Sequence, residues 1–144
     1  MQPFPHHYVA TADALAEGLV TVSVPDLPDL ATATPTEFGG PGGRWSPEVL
    51  LVAAVSDCFV PTFRGIANAS KLDWIRLGCK TEGVLERVDR VTQFTEYHIY
   101  AELVLPASSD AAKAKRLLEK AEQTCLITNS LTGKKVLSIE IHTE

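Results

Sequence analysis

The sequence predicts an α+β domain in which two long helices alternate with strands. Apolar residues recur at helical spacing in two segments, one after Ser46 and one after Pro106. Between these segments, residues 72–87 and 91–105 are rich in β-branched and aromatic side chains, which are typical of strands. A length of 144 residues suits a single domain, residues 1–144, with the order strand, strand, helix, strand, strand, helix, strand.

The first third of the chain contains one clear strand and one long loop. Residues 20–24 alternate between valine and hydroxyl side chains, which is the pattern of a strand buried on one face. Residues 8–12 are the candidate hairpin partner of this strand. Residues 25–43 contain four prolines and four glycines and have no sustained period, which predicts a long loop. Loops of this length in a domain are usually functional or held by a partner.

The first long helix has the best start signal in the chain. Ser46 is a suitable N-cap, Pro47 suits the first helical position, and Glu48 places a negative charge at the positive end of the helix dipole. Pro61 lacks a backbone donor, so we expect it to kink or divide this helix, which should end near Ser70.

The second half of the chain predicts a hairpin, a helix and a closing strand. Asp89 and Arg90 form the turn between the two long strands, and Ser108 or Ser109 caps the next helix. Residues 135–142 alternate as the last strand. The helix carries one apolar stripe, made of Ala114, Leu117, Leu118, Ala121 and Cys125.

Charge and hydropathy exclude several classes of function. The net charge is −5 and the pI is near 5.3, so nucleic-acid binding is not expected. The longest uninterrupted apolar run, residues 49–55, is shorter than the roughly 18 residues that span a bilayer. The N-terminus does not read as a secretory signal, and no Cys/His set has the spacing of a zinc site. We therefore expect a soluble cytoplasmic protein that binds neither membrane nor metal and has no cofactor.

The three cysteines are the main candidates for chemistry. Cys58 and Cys125 both come late on the apolar stripe of a helix, so both should face the core, and their sulfur atoms can meet if the two helices pack side by side. The alternative is that both are small core residues, because free cysteine is among the most buried side chains. Cys79 lies in a predicted strand and is interpreted as structural.

Two sequence segments together resemble the OsmC/Ohr family. The first, GGPGGRWSPEVLLVAAVSDCF (residues 39–59), has a Gly-rich loop and a helix opened by Pro-Glu with a cysteine ten residues after the glutamate. The second, EKAEQTCLITNSL (residues 119–131), carries another cysteine, then a short polar stretch and leucine. The resemblance implies an OsmC-like fold in which strands wrap two long central helices, and an intertwined homodimer.

The resemblance also implies thiol peroxidase activity on organic hydroperoxides. It assigns Cys58 as the peroxidatic residue, which attacks the peroxide as a thiolate and becomes a sulfenic acid. It assigns Cys125 as the resolving residue, which condenses with the sulfenic acid to a disulfide. A dithiol reductant, lipoyl-type in the Ohr branch, then reduces the pair.

The resemblance points to Glu48 and an arginine as further site residues. Ten residues of α-helix rise roughly 15 Å and leave Glu48 about 80° from Cys58 around the axis, so a partner subunit must supply Glu48 if it serves the site. The alternative is a first-turn glutamate that stabilises its own helix. Arg44, four residues before Glu48, is the candidate arginine; the alternative is a solvated loop arginine.

A second function remains open on the sequence alone. Asp57 precedes Cys58, and a carboxylate near a thiol opposes thiolate formation unless its side chain points away. No arginine precedes Arg44. The alternative is therefore an OsmC-like dimer without efficient peroxidase activity that binds an apolar small molecule at the subunit interface.

Overall fold

In the computed structural model, which describes residues 1–144, the tertiary contacts divide the chain into two units. We call residues 1–50 the N-terminal unit and residues 51–144 the C-terminal unit. The assignment of residues 1–144 to one domain stays a prediction.

The N-terminal unit is a three-stranded antiparallel sheet of short strands. Strands β1 (Thr11–Asp13), β2 (Val20–Ser23) and β3 (Leu30–Thr32) lie in the order β1-β2-β3. The strand predicted at residues 20–24 is confirmed, and its hairpin partner lies at Thr11–Asp13, later than the 8–12 expected.

The prediction that residues 25–43 are a long loop is wrong in part. This segment contains β3 and a short 3₁₀ helix at Thr36–Phe38. Because β3 has three residues, it is too short to show a period in the sequence. It forms through its pairing with β2, in which Leu30 lies opposite Val22 and Thr32 opposite Val20.

Helix α1 (Pro47–Ala69) begins as the sequence predicts. The backbone N–H of Val49 donates to the Ser46 hydroxyl oxygen at 3.3 Å, which is the predicted N-cap. Pro61 lies inside α1 and does not divide it, and the helix ends at Ala69, one residue before the predicted end.

By length and composition alone, α1 could cross a membrane. It has 23 residues, and its most apolar 18-residue window has a mean hydropathy of 1.6. Ser56 and Asp57 interrupt the apolar run of residues 49–55, so the length of that run does not reveal this property. Only 17% of that window is buried within this single chain.

The C-terminal unit contains a sheet of three long strands. Strands β4 (Arg76–Val88) and β5 (Val91–Leu105) are antiparallel, and β6 (Lys134–Thr143) pairs with β5 in parallel. Asp89 and Arg90, with φ of 49° and 68°, form the predicted two-residue turn between β4 and β5. The predicted hairpin and closing strand are confirmed, although β4 begins at Arg76 and not at residue 72.

The second long helix, α2 (Ala111–Thr124), is capped by a residue that the sequence analysis did not name. The backbone N–H of Lys113 donates to Asp110 Oδ1 at 2.9 Å, so Asp110 is the N-cap. The predicted cap at Ser108 or Ser109 is wrong, because Ser109 N–H bonds to the Pro106 carbonyl in a turn and its hydroxyl donates to the Asp73 carbonyl.

Cys125 is not on the helical stripe to which the sequence assigned it. It lies between α2 and the short helix α3 (Leu126–Asn129), with an extended backbone at ψ of 112°. The stripe therefore ends one turn earlier, at Ala121, and Cys125 faces the interior from the helix end.

The core of the C-terminal unit combines one stripe of each long helix with the inward face of β5. These side chains form one apolar cluster, and this confirms the predicted α+β packing around two principal helices. Its largest fully buried members are Phe59, Phe63, Ile99, Leu103, Leu105 and Leu118.

Candidate functional site

The structure brings Cys58 and Cys125 together within the C-terminal unit. Cys58 is half-buried on α1, and Cys125 is fully buried at the junction of α2 and α3. The Cys58 side chain contacts the Cys125 side chain, and both this contact and its charge raise the pKa of Cys125. The two thiols are therefore neighbours. No disulfide joins them in this structure.

Burial dominates the chemistry of Cys125. Removal from water raises the pKa of the Cys125 thiol, and the nearby Cys58 raises it further. Contacts with the backbone and the side chain of Thr128 act in the opposite direction and lower this pKa. Thr128 is itself buried, and its hydroxyl also donates to the Cys125 carbonyl at 3.1 Å. The net effect keeps the proton on Cys125.

The surroundings of Cys58 are hydroxylic and not basic. Thr62 Oγ1 lies 3.9 Å from Cys58 Sγ and donates to the Cys58 carbonyl at 2.8 Å. Thr62 thus supplies a hydroxyl partner to this sulfur. Asp57, the carboxylate that precedes Cys58 in the sequence, is exposed, so water screens its charge.

Cys79 lies in the same unit, on β4. Burial raises the pKa of the Cys79 thiol, contacts with Ser56 and Thr81 lower it, and the charge of Cys125 raises it slightly. The Ser56 hydroxyl donates to Thr81 Oγ1 at 2.7 Å, which joins α1 to β4. Cys79 also packs against the apolar core, so its structural interpretation agrees with its packing.

The two predicted charged residues belong to the N-terminal unit. Arg44 is exposed and forms no ion pair with Glu48 or with any other carboxylate of the chain. Glu48 occupies the first turn of α1, and its Oε2 atom is buried without a hydrogen-bond partner. A buried polar atom without a partner is rare in native proteins and calls for an explanation.

The sequence analysis missed the two threonines next to the thiols. Thr62 follows Cys58 by four residues, and Thr128 follows Cys125 by three. A hydroxyl one helical turn after each cysteine was the signal that could have found them, since such side chains bond back to the preceding turn. No set of three or more His, Cys, Asp or Glu side chains in residues 1–144 is arranged to hold a metal ion.

Two long helices against a mixed sheet, with two neighbouring thiols at the helices, make this an α+β protein with a candidate thiol site. The chain belongs to the OsmC-like protein family, whose model matches residues 40–140. The resemblance seen in the sequence is thereby confirmed.

A relative named for organic hydroperoxide resistance and an uncharacterized relative both match this chain. It is 30% identical over 130 residues to an organic hydroperoxide resistance protein of Xanthomonas axonopodis pv. citri, covering 86% of this chain and 85% of the relative. It is 28% identical over 109 residues to YmaD, an uncharacterized protein of Bacillus subtilis, covering 74% and 73%. A structure of an OsmC-like protein of unknown function from Vibrio cholerae superposes with a TM-score of 0.85 at 17% identity, covering 94% of this chain and 99% of that one. The last comparison concerns the fold alone.

Proposed function

We propose that this protein is a thiol-dependent peroxidase that reduces organic hydroperoxides through Cys58 and Cys125. The observation that carries the proposal is the pair of neighbouring free thiols with different accessibility, one half-buried and one fully buried. The relative from Xanthomonas, which is named for organic hydroperoxide resistance, supports the choice of substrate class.

The difference in accessibility supports the assignment of roles. Cys58 is the thiol that an oxidant can reach, so its thiolate attacks the terminal oxygen of the hydroperoxide ROOH. The O–O bond breaks, the alcohol ROH leaves after taking a proton, and Cys58 becomes a sulfenic acid.

Cys125 resolves the oxidised state. Its raised pKa keeps it a protonated thiol at rest, so it does not compete for the peroxide. Its sulfur then attacks the Cys58 sulfenic acid, a disulfide forms, and one water leaves with the Cys125 proton and the sulfenic hydroxyl. A dithiol of the lipoyl type exchanges with this disulfide, becomes a cyclic disulfide itself and restores both thiols.

The proposal includes an intertwined homodimer. Three features of the single chain support it: the low burial of the apolar helix α1, the unpartnered Oε2 of Glu48, and many exposed apolar side chains in the N-terminal unit. A second copy would cover the apolar surface and supply a donor to Glu48. The same proposal places the protein in the cytoplasm, where reducing conditions keep the thiols reduced, without nucleic-acid or membrane partners.

Turnover measurements on cysteine variants test this function. With cumene hydroperoxide and dihydrolipoamide, Cys58→Ser should abolish peroxide consumption. Cys125→Ser should consume one equivalent and stall as a sulfenic acid that dimedone traps. Cys79→Ser is the matched control and should turn over at the wild-type rate. Full turnover by Cys58→Ser would exclude the proposal.

A second candidate is favoured by one observation, the absence of a basic group at Cys58. The sulfur has the Thr62 hydroxyl and no guanidinium among its hydrogen-bond partners. Without a cation the thiolate forms less readily, and an OsmC-like dimer that binds an apolar small molecule at its interface becomes the better account. The rate of Cys58 alkylation against pH separates the two: a midpoint well below about 8.5 favours the peroxidase, and a higher one favours the binding protein.

A further inference from the structure

The Thr62 hydroxyl is within hydrogen-bonding reach of the candidate peroxidatic sulfur. It lies 3.9 Å from Cys58 Sγ and 2.8 Å from the Cys58 carbonyl oxygen, to which it donates. Because its single proton points to the carbonyl, its oxygen faces the sulfur as an acceptor, and the Cys58 S–H is the donor of that contact.

The Cys58 carbonyl does not depend on this hydroxyl. Residue 62 is inside the continuous helix α1, where its backbone N–H is placed to bond to the carbonyl of Cys58, four residues earlier. The Cys58 carbonyl therefore keeps a backbone donor when the Thr62 hydroxyl turns away.

The chain contains a second threonine that bonds back to the carbonyl four residues earlier. In α2, the Thr124 hydroxyl donates to the Lys120 carbonyl at 2.8 Å, which is the same bond over the same four residues. Thr124 precedes Cys125 in the chain, and its hydroxyl has the Lys120 carbonyl as its hydrogen-bond partner, so it serves as the comparison for Thr62.

We propose that Thr62 is a positioning residue whose hydroxyl turns from the Cys58 carbonyl to the Cys58 sulfur when the thiol ionises, and so stabilises the thiolate. This inference deepens the proposed function and assigns to a neutral hydroxyl part of the role expected of an arginine. The Thr62 hydroxyl donates a hydrogen bond to the thiolate, whereas it accepts one from the neutral thiol.

The sign of the effect follows from the strengths of the bonds exchanged. In the neutral state the site has a weak S–H donor and a second, redundant bond to the carbonyl. In the ionised state it has a hydroxyl bond to an anion, and bonds to charged groups contribute about 1.5–3 kcal/mol against about 1 kcal/mol for neutral ones. Removing the hydroxyl should therefore disfavour the thiolate.

The test is the pH profile of iodoacetamide alkylation at Cys58, measured with Cys79→Ser and Cys125→Ser in place so that one thiol reacts. Thr62→Val should lower the rate near pH 7 about threefold to tenfold and move the midpoint up, without changing the plateau at high pH. Thr62→Ser, which keeps the hydroxyl, should restore the profile. Thr62→Ala checks that the effect does not come from the branched side chain, and Thr124→Val should leave the profile unchanged.

An unchanged or lowered midpoint in Thr62→Val and Thr62→Ala would overturn the inference, as would failure of Thr62→Ser to restore the profile. Because alkylation needs no peroxide, the result is independent of turnover. Failure of the proposed function would be seen separately, as full peroxide turnover by Cys58→Ser.

Discussion

The two units of the chain differ in how much of their apolar surface they bury. The strands of the N-terminal unit have three or four residues, and its buried residues are Thr32, Ala33 and Ser46. The strands of the C-terminal unit have 10 to 15 residues and enclose a cluster of aromatic and aliphatic side chains. The C-terminal unit therefore has its own core, and the N-terminal unit needs another surface to cover its apolar residues.

The largest effect should separate the two units through one phenylalanine in each. Phe63 is fully buried in the C-terminal core, so Phe63→Ala should lower the free energy of unfolding by about 3–5 kcal/mol. Phe38 is 56% exposed in the N-terminal unit, so Phe38→Ala should cost less than about 1 kcal/mol in the dissociated chain. Urea unfolding at low protein concentration measures both, and equal losses would remove the distinction between the units.

A second prediction concerns what covers the exposed apolar residues. Val49, on the first turn of α1, is 49% exposed in the single chain. If a second copy covers it, Val49→Lys should weaken the dimer by about 10- to 100-fold, because a charge would be buried without a partner. Sedimentation equilibrium measures this, and the wild type should have twice the 15.6 kDa mass of one chain.

The control for that prediction is Val91→Lys, at the start of β5 beside the hairpin turn, where the valine is 57% exposed. This variant should leave the association unchanged. A wild-type protein that sediments as one chain at micromolar concentration would contradict the homodimer.

The buried thiol of the C-terminal unit should make stability depend on alkaline pH. Burial raises the pKa of Cys125 above its ordinary value of 9.0, so the folded chain keeps this proton to a higher pH than the unfolded chain. The contribution of the Cys125 thiol to the free energy of unfolding is complete below pH 9 and is lost as the pH rises above this value.

Replacement of Cys125 should therefore flatten the decline in stability above pH 9. In Cys125→Ala, the slope of unfolding free energy against pH should decrease by at most about 1.4 kcal/mol per pH unit. Urea unfolding in a reducing buffer between pH 8 and 10.5 measures the slope. Burial also raises the pKa of Cys79, so the part of the decline in stability that comes from Cys79 should persist in Cys125→Ala. An unchanged slope would mean that Cys125 ionises equally in both states.

The smallest effect should come from the cap of α2. Asp110→Ala removes the bond to the Lys113 N–H and should lower the free energy of unfolding by about 1 kcal/mol. Ser108→Ala, at a cap position suggested by the sequence, should have no measurable effect. The reverse result would show that the helix begins earlier in solution.

The success of the sequence analysis depends on how local each signal is. The start of α1 was predictable because Ser46 and Pro47 act on their own backbone and their neighbours. Strand β3 was not, because three residues have no readable period and exist as a strand through pairing with β2. Pro61 did not divide α1, since packing of Phe59 and Phe63 on either side holds the helix together.

The candidate site was likewise predictable from the sequence only in part. Helical spacing predicted that Cys58 and Cys125 point inward, but it placed Cys125 on a stripe that ends before it. The cap at Asp110 and the contact between Thr62 and Cys58 depend on side-chain orientation in the folded chain, which composition and period do not encode. The buried Oε2 atom of Glu48 has no hydrogen-bond partner within one chain.

Disulfide mapping after one equivalent of cumene hydroperoxide tests the central claim most directly. The reduced protein is treated, free thiols are blocked with iodoacetamide, and the peptides are identified by mass spectrometry. We predict a Cys58–Cys125 disulfide with Cys79 recovered as the alkylated thiol. Recovery of Cys58 and Cys125 as free thiols, or a disulfide that includes Cys79 in their place, would contradict the account.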